Sequence, residues 1–318
     1  MTGPSLERDS PWGALRVADA HVHFFSHRFW TTMAEQVPAQ ASGVTLERVG
    51  AQLGWTLPPE KPEQLAEIWA AELDRHGVQS TALIASIPGD EASVTAAVKA
   101  FPARFFAFAM VNPKTFHPEA LSTIHAACLF PAMHGYSVND DSAREVFDWA
   151  AEEHRAVFVH CGVLSVGFRA KLGLLSRFDM RFSNPIDLHA VALQYPSVPI
   201  IVPHFGAGYF REALMLADMC PNVYLDTSSS NRWMRYEEAH HVEPRSGLRH
   251  IFRRALDVIG PQRLLFGTDS SFFPRGWHQA IFEDQSRALY EIGLSVADAR
   301  AVFGENLLRI LAPSKNLL

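Results

Sequence analysis

The sequence predicts an α/β protein of the (β/α)8 TIM-barrel class, a single domain over residues 1–318 with long insertions on the C-terminal face. Short apolar runs alternate with amphipathic segments along the chain, which is typical of a parallel sheet whose crossovers are helices. Eight such runs can be counted, each followed by a helix, and eight strands close a barrel. A chain of 318 residues that is 48% hydrophobic is long enough to bury this core.

The predicted strands are short, and several end on a histidine or an aspartate. In chain order they cover residues 16–23, 79–86, 105–111, 128–133, 156–160, 199–203, 222–226 and 263–266. Helical periodicity is predicted for residues 62–76, 91–101, 142–154, 185–195, 211–219, 246–259 and 277–292. The final helices, over residues 295–311, complete the outer ring, and Ser295 is the expected N-cap.

Three stretches interrupt the alternation: residues 24–60, 162–184 and 227–243. Each follows a predicted strand, so each is expected at the C-terminal face, where substrate specificity is usually built. The first stretch carries Trp30, Trp55 and several prolines. We predict that it forms a lid or capping element.

Charge and composition argue against polyanionic partners and for a cytoplasmic location. The formal net charge is -6, the pI is near 6.2, and no basic block is present to neutralise nucleic acid or an anionic membrane. Three scattered cysteines indicate a reducing compartment. The first residues carry charges and prolines where a signal peptide has an apolar run, and no stretch of about 18 apolar residues occurs. Nucleic-acid and membrane partners are therefore not expected.

The motif VADAHVHFF places His21 and His23 two residues apart at the end of an apolar strand. Side chains at i and i+2 share one face of a strand, so both imidazoles are expected to point into the barrel mouth. The pair alone is weak evidence, because 15 histidines in this length produce about one such pair by chance.

The same pattern, a histidine or an aspartate at the end of an apolar run, recurs at other strand ends. His160 ends AVFVH, His204 ends PIIVPH, and Asp269 follows RLLFGT. Imidazole and carboxylate are ligands that zinc, manganese and iron accept, so convergence from separate strands predicts a metal site. The alternative for each residue alone is a core histidine donating to a backbone carbonyl, or an aspartate capping a turn.

These motifs, with VFVHCG, VPHFGAGYF, NVYLDTSSS and LLFGTDSSFFPRGW, resemble the strand-end motifs of the amidohydrolase superfamily. They are most similar to the amidohydrolase-related (amidohydrolase 2) group, which includes mononuclear TIM-barrel hydrolases, lactonases and aminocarboxymuconate-semialdehyde decarboxylase. The resemblance extends from about Val17 to the segment GENLLRIL. It implies that His204 acts as acid, base or carbonyl polariser, beside a metal held by His21, His23, His160 and Asp269.

Two features refine this resemblance. Binuclear members carry a bridging carbamylated lysine at the end of strand four, whereas the run LFPAMHGYS offers His134 and no lysine. One divalent ion is therefore implied, Zn²⁺ in preference to Mn²⁺, with His134 as either a substrate contact or a plain loop histidine. Some decarboxylases of the group replace the first histidine of the pair by glutamate, so the presence of His21 argues against that subgroup and leaves hydrolysis open.

The predicted reaction is attack of a metal-bound hydroxide on an ester, lactone or amide carbon of a small carboxylated substrate. A divalent ion lowers the pKa of its bound water to about 7, which supplies a nucleophile at neutral pH. Asp269 is expected to accept the proton and return it to the leaving group, while the ion or His204 polarises the carbonyl.

Two other hypotheses are open. The first is non-oxidative decarboxylation of an aromatic or unsaturated carboxylic acid with the same ligands. The second is a catalytically silent barrel that binds a partner, which the retention of all five metal-site residues opposes, because buried imidazoles are costly to converge without an ion.

Substrate contacts are predicted in the loops of the same face. Arg232 and Arg275 follow strands seven and eight, where they either clamp a carboxylate or are solvated surface charges. Trp30 and Phe273, with other aromatic residues nearby, predict an apolar pocket for a cyclic or aromatic substrate.

Two further aspartates lie beside the motifs. Asp19 has the strand parity of His21 but a deeper position, which predicts a supporting or capping role and not ligation. Asp226 ends strand seven and either orients a ligand or caps the following turn. Relatives are often dimers, so a homodimer is expected by analogy.

Overall fold

The structure, a computed structural model, describes residues 6–37, 45–229 and 247–312. At its centre is an eight-stranded parallel sheet whose strands follow chain order. The strands are β1 (Val17–Phe24), β2 (Val78–Ala85), β3 (Phe105–Val111), β4 (Ala126–Leu129), β5 (Ala156–Val159), β6 (Ile200–Val202), β7 (Val223–Asp226) and β8 (Leu264–Leu265).

Backbone hydrogen bonds join the residues after β8 to β1. The His23 N–H donates to the Ser270 carbonyl at 2.7 Å, and the Asp269 N–H donates to the His21 carbonyl at 2.9 Å. These bonds bring the two ends of the sheet together as in a barrel, and the predicted (β/α)8 class is confirmed.

Apolar side chains fill the barrel interior. Small alanines alternate with large rings and branched chains, so that the layers interdigitate. The interior set is Ala18, Ala20, Ala82, Ile84, Phe108, Met110, Ala126, Cys128, Ala156, Phe158, Ile201 and Leu265. All of these side chains are buried, so the barrel is a packed core that supports polar side chains at its C-terminal end.

Helices form the outer layer and the insertions. They are α1 (His27–Glu35), α2 (Leu46–Leu53), α3 (Pro62–Arg75), α4 (Glu91–Ala100), α5 (Pro131–His134), α6 (Asp141–Glu152), α7 (Gly167–Lys171), α8 (His189–Gln194), α9 (Phe210–Met219), α10 (Gly247–Ile259), α11 (Gln279–Glu291), α12 (Val296–Arg300) and α13 (Asn306–Leu311). Ser295 caps α12 as predicted and accepts from the Asp298 N–H at 3.1 Å. Within the described ranges, no helix has the length and apolar character needed to cross a membrane.

The third crossover and the fourth strand differ from the prediction. Between β3 and β4 the described chain makes two 3₁₀ turns, Pro113–Thr115 and Pro118–Leu121, and no α-helix. The expectation of a helix after every strand is wrong here, because a helix begun at Pro113 would meet Pro118 in its second turn, where proline removes a backbone hydrogen bond and its ring clashes with the preceding turn. β4 ends at Leu129 and not at residue 133, because Pro131 begins the helical turn α5.

The first insertion places α1 and α2 beside the C-terminal end of the barrel. Apolar side chains from it pack with residues of the second insertion and with one residue after β2 in a single cluster: Phe25, Phe29, Trp30, Met33, Val49, Leu53, Ile87, Leu172 and Leu174. Residues 38–44 of the first insertion and 230–243 of the third lie outside the described residues. The lid role of residues 24–60 stays a prediction.

Candidate metal centre

Three predicted ligands meet at the C-terminal end of the barrel. His21 and His23 lie on β1, and Asp269 follows β8. Asp269 Oδ1 lies 3.3 Å from His23 Nε2 and 3.8 Å from His21 Nε2, and the two nitrogens are 3.4 Å apart. Ligands bound about 2.1 Å from a tetrahedral ion stand about 3.4 Å from one another. The three atoms therefore have the spacing of ligands to one divalent ion.

An irregularity in β1 determines which way its side chains point. The pairing register with β2 shifts between Asp19 and Val22. As a result, the prediction that Asp19 shares the face of His21 is wrong. Asp19 points to the outer layer, where its Oδ2 accepts from the Trp277 indole at 2.8 Å. Its Oδ1 accepts from the His21 N–H at 2.9 Å and the Thr268 N–H at 3.1 Å. Asp19 thus joins the two backbone segments that carry the metal-site residues, in agreement with a supporting role.

Hydrogen bonds at Nδ1 orient both histidines of the pair. His21 Nδ1 lies 2.7 Å from Asp226 Oδ2, and both side chains are buried. His23 Nδ1 lies 2.7 Å from Ser86 Oγ, which itself donates to the Ile84 carbonyl at 3.1 Å. In each case Nδ1 is held by its partner, and Nε2 is the nitrogen that faces the proposed ion.

The Asp269 carboxylate is fixed by its neighbours. Its Oδ2 accepts from Ser229 Oγ at 2.6 Å, and its backbone has a φ of +58°, a left-handed conformation that costs energy for an L-residue. Burial by itself raises the pKa of Asp269, but its contacts with His23 and then with His21 outweigh that effect. The net pKa is far below the usual range, so the carboxylate is ionised and available to a cation.

His160, the fourth predicted ligand, lies beside the three but outside their compact group of donor atoms. Its ring stacks on Phe130 at 5.4 Å and stands 5.3 Å from the His204 ring. Burial, followed by the neighbouring histidines, lowers the pKa of His160 far below its usual value, so the imidazole is neutral. Its Nδ1 is buried with no hydrogen-bond partner among the described residues, which is costly without a further group in the site. Ligation by His160 stays a prediction.

His204 lies on a strained turn directly after β6. Its φ of +56° is followed by +50° at Phe205, and two successive left-handed non-glycine residues are rare outside functional sites. His204 Nδ1 lies 3.0 Å from the Ser228 carbonyl, so Nδ1 carries the proton and donates. Burial lowers the pKa of His204, which leaves a neutral ring whose Nε2 can accept a proton.

The donor set fits a divalent ion of the zinc or manganese type. Two imidazole nitrogens and one carboxylate oxygen lie within reach of one ion, and the ring that carries the orphaned His160 nitrogen packs on the neighbouring His204 ring. Imidazole and carboxylate together are the ligands these metals prefer.

The centre opens into a cavity of 1180 Å³, here called the main cavity. Its lining contains all five predicted metal-site and catalytic residues and also His134 and Arg275. The Arg275 guanidinium lies 4.4 Å from the centre of the Phe272 ring and donates to the Asp269 carbonyl at 3.1 Å. Its Nε is buried with no partner in the part of the chain that the structure describes. Arg275 therefore lies beside the metal centre and lines the same cavity, and its role as a substrate contact stays a prediction.

Trp30 and Phe273 line a second, apolar cavity of 300 Å³ and not the main cavity. Trp30 packs edge-on against Trp55 at 6.0 Å, and Phe273 packs on Trp69 at 4.9 Å. Both rings therefore pack between the first insertion, α3 and the loop after β8. The structure does not place them as contacts at the metal centre. Arg232 lies outside the described residues.

Sequence reasoning missed several supporting residues. Ser228 Oγ lies 3.0 Å from His21 Nδ1 and 2.9 Å from His204 Nδ1, and it links the two rings. The run of serines in NVYLDTSSS was a signal for Ser228 and Ser229, since short hydroxyl side chains at a strand end often hydrogen-bond to their neighbours. For Ser86 the sequence signal was its position at the end of the second predicted strand.

The chain is similar to known proteins along most of its length. A family model described as amidohydrolase matches residues 18–312. Protein fluG of Emericella nidulans is 37% identical over 92 residues, a stretch that is 29% of this chain and 10% of that protein. The match thus spans about a tenth of the length of that relative.

Three solved structures are similar in fold. 5-carboxyvanillate decarboxylase LigW from Sphingomonas paucimobilis has a TM-score of 0.59 at 13% identity, covering 93% of this chain and 99% of that one. A putative 2-pyrone-4,6-dicarboxylic acid hydrolase from Pseudomonas putida has a TM-score of 0.58 at 16% identity, covering 95% and 99%. An amidohydrolase from Burkholderia multivorans with bound zinc has a TM-score of 0.60 at 16% identity, covering 94% and 99%.

At these identities the solved structures show the fold alone, whereas the family model extends from β1 to the residue after α13. The protein belongs to the amidohydrolase family.

Proposed function

We propose that the protein is a metal-dependent hydrolase that cleaves an ester, lactone or amide bond in a small cyclic or aromatic carboxylated substrate. The observation that carries this proposal is the meeting of His21, His23 and Asp269, whose donor atoms lie 3.3 to 3.8 Å apart at the end of the barrel. Membership of the amidohydrolase family supports metal-dependent catalysis.

These three residues would hold one divalent ion, with His160 as the fourth ligand and Zn²⁺ preferred to Mn²⁺. The zinc in the similar Burkholderia multivorans amidohydrolase supports this preference. When bound, the ion supplies Lewis acidity and lowers the pKa of a coordinated water.

His204 is suited to move the proton. Its Nδ1 donates to the Ser228 carbonyl, so Nε2 is free to take a proton from the attacking water and return it to the leaving group. The sequence predicts Asp269 as the group that accepts this proton, and that role stays a prediction, but the lowered pKa of Asp269 favours His204 as the base. Arg275 would bind the substrate carboxylate. His134, which also lines the main cavity, would be a second substrate contact.

Decarboxylation is the second candidate, favoured by the partly buried Arg275 guanidinium beside Asp269 and by the similar fold of a decarboxylase. In that reaction the carbon–carbon bond to the carboxylate breaks, carbon dioxide leaves, and the electron pair left on carbon takes a proton. His204 or Asp269 would have to arrive at that step protonated. The lowered pKa values of both groups oppose that protonated state, and His21 stands where some decarboxylases of the family carry glutamate, so hydrolysis is the first candidate.

A metal analysis with two paired assays tests the proposal. Purified protein loaded with zinc is expected to hold about one ion per chain and to release acid from some members of an ester and lactone panel. Aromatic carboxylic acids are expected to yield no carbon dioxide. Carbon dioxide release without ester or lactone cleavage would replace hydrolysis by decarboxylation, and protein that binds no divalent metal would refute both reactions.

The role of His204 has its own test. We expect His204→Asn to lower kcat about 10²- to 10⁴-fold while zinc content is unchanged, because proton transfer is lost and the ligands are not. The matched control is His250→Asn, an exposed histidine on α10, which should leave kcat unaltered. Near-native kcat in the His204 variant would contradict this role.

Other predictions remain open. We propose that residues 1–318 form one barrel domain over which residues 24–60 act as a lid. A homodimer and a cytoplasmic location stay predictions.

A further inference from the structure

The main cavity is larger than a small acid needs, and its outer part carries positive charge. Its volume is 1180 Å³, at or beyond the upper end of the roughly 300–1,000 Å³ typical of small-molecule sites. Among the described lining residues, Asp269 supplies the carboxylate and belongs to the metal centre. The cationic lining residues are Arg169, Lys171, Arg177 and Arg275. The first three come from one segment, residues 163–178, and are separate from the site already described.

Contacts with the first insertion hold this segment in place. Arg169 donates to Gln36 Oε1 at 2.8 Å and to the Leu175 carbonyl at 3.1 Å, which ties α7 to the end of α1. Gln52 of α2 donates to the Lys171 carbonyl at 2.5 Å. Arg169 therefore has a structural role, and its two cationic neighbours stand on a supported backbone.

Lys171 and Arg177 are the uncommitted charges. Both are exposed, whereas His21 and His160 are buried, so the two cations lie at the mouth of the cavity and the metal centre at its base. Within the described part of the chain, no ion pair joins either of them to a carboxylate. By contrast, Arg181, a few residues further on, pairs with Asp179 at 2.6 Å.

An aromatic wall connects the two ends of the cavity. His23 stacks on Phe25 at 5.5 Å, and Phe168 meets the Phe25 ring edge-on at 5.9 Å. Trp55 stacks on Phe272 at 4.1 Å along the same side. The two ring contacts, His23 to Phe25 and Phe25 to Phe168, thus connect the metal centre to the segment that carries Lys171. Apolar walls of this kind accept flat apolar groups.

We propose that Lys171 and Arg177 form a second anion subsite and that the substrate is an elongated dianion. This inference rests on the proposed function. One end of the substrate reaches the metal centre and Arg275, an aromatic body about two rings long lies along the Phe25 and Phe168 wall, and a distal carboxylate lies between the two cations. The subsite selects substrates by length and by the charge at the far end.

Binding of two model acids tests the subsite without any turnover. The zinc-loaded full chain is titrated by calorimetry with biphenyl-4,4′-dicarboxylate and with biphenyl-4-carboxylate. We expect the dicarboxylate to bind about three- to tenfold more tightly, as two exposed charge contacts allow, and the advantage to shrink as salt is added. Equal affinities at low salt would overturn the proposal.

Charge-removing variants locate the effect. The double variant Lys171→Gln, Arg177→Gln should abolish the preference for the dicarboxylate and leave binding of the monocarboxylate unchanged. The matched control is Arg181→Gln in the same region, which does not line the main cavity and should keep the preference. An equal loss in the control would assign the effect to general surface charge and refute the subsite.

The two proposals fail separately. Ester or lactone cleavage together with equal binding of the two acids would refute the subsite alone. A preference for the dicarboxylate that depends on Lys171 and Arg177, in an enzyme that cleaves no ester, lactone or amide, would refute the proposed function alone.

Discussion

At the scale of single residues, Asp226 shows how one carboxylate supports the metal centre. Its Oδ2 lies 2.7 Å from His21 Nδ1, and its Oδ1 accepts from the Ser228 N–H at 2.6 Å. The sequence left open whether Asp226 orients a ligand or caps a turn, and the structure shows both contacts. Because Asp226 is fully buried, its charge is poorly screened, and it makes His21 a more basic ligand.

Replacing this carboxylate should weaken metal binding. We expect Asp226→Asn to lower zinc affinity about 10- to 100-fold, because the amide is uncharged and can accept from only one of its two present donors. The measurement is competition with a chromophoric chelator. Asp148→Asn is the matched control, since Asp148 accepts from the Tyr195 hydroxyl in the outer layer, and its affinity should equal that of the parent. An unchanged affinity in the Asp226 variant would refute the supporting role.

At the scale of elements, one glycine lets the loops after β5 and β6 meet. Gly162 has a φ of +77°, and its N–H donates to the Ser183 carbonyl at 2.8 Å. The carbonyl oxygens of Gly206 and Ala207 occupy the place where a Cβ would stand. This close approach brings the loop that follows His160 against the loop that carries His204, so the relative position of the two histidines depends on the absence of a side chain.

A methyl group at this position should destabilise the fold. We expect Gly162→Ala to lower the free energy of unfolding by about 2 kcal/mol or more, from backbone strain plus overlap with two carbonyl oxygens. Gly173→Ala is the control, because Gly173 has a similar φ of +71° but no atom within 4 Å of the place that a Cβ would take, and it should cost about 1 kcal/mol. Urea unfolding measures both. Equal losses would show that the overlap contributes nothing.

At the scale of the whole molecule, buried histidines make stability depend on pH. His125, just before β4, donates its N–H to the Ala107 carbonyl at 2.7 Å and accepts from the Ala107 N–H at its Nδ1 at 3.1 Å. Burial, and then the charge of Arg155, lower its pKa to about 4. The unfolded chain titrates this histidine near 6.5, so it binds more protons than the folded state between these values.

This difference gives a stability prediction with a defined sign. The contribution of neutral His125 is present above pH 6.5 and is lost as the pH falls through about 4, by at most about 3 kcal/mol. His125→Asn keeps a neutral acceptor and should flatten this part of the curve of unfolding free energy against pH. The exposed His117→Asn should follow the parent curve. A parent-like slope in the His125 variant would contradict the assignment.

Much of the barrel and its site was predictable because local patterns carry the information. Apolar runs predicted all eight strands within a few residues, and histidines and an aspartate at strand ends marked His21, His23 and Asp269. The failures were also local in origin: Pro113 and Pro118 replace the third crossover helix by turns. For substrate contacts the sequence was a weaker guide, since Trp30 and Phe273 are near the site in the chain but pack elsewhere.

The sequence by itself determined the fold class and the ligand types, because strand periodicity and residue chemistry depend on near neighbours along the chain. Tertiary structure alone decided which face Asp19 occupies, that Asp226 and Ser228 support His21, and that Lys171 and Arg177 share a cavity with the metal centre. These relations join residues on different strands and loops, and their distances are set only when the two ends of the sheet meet.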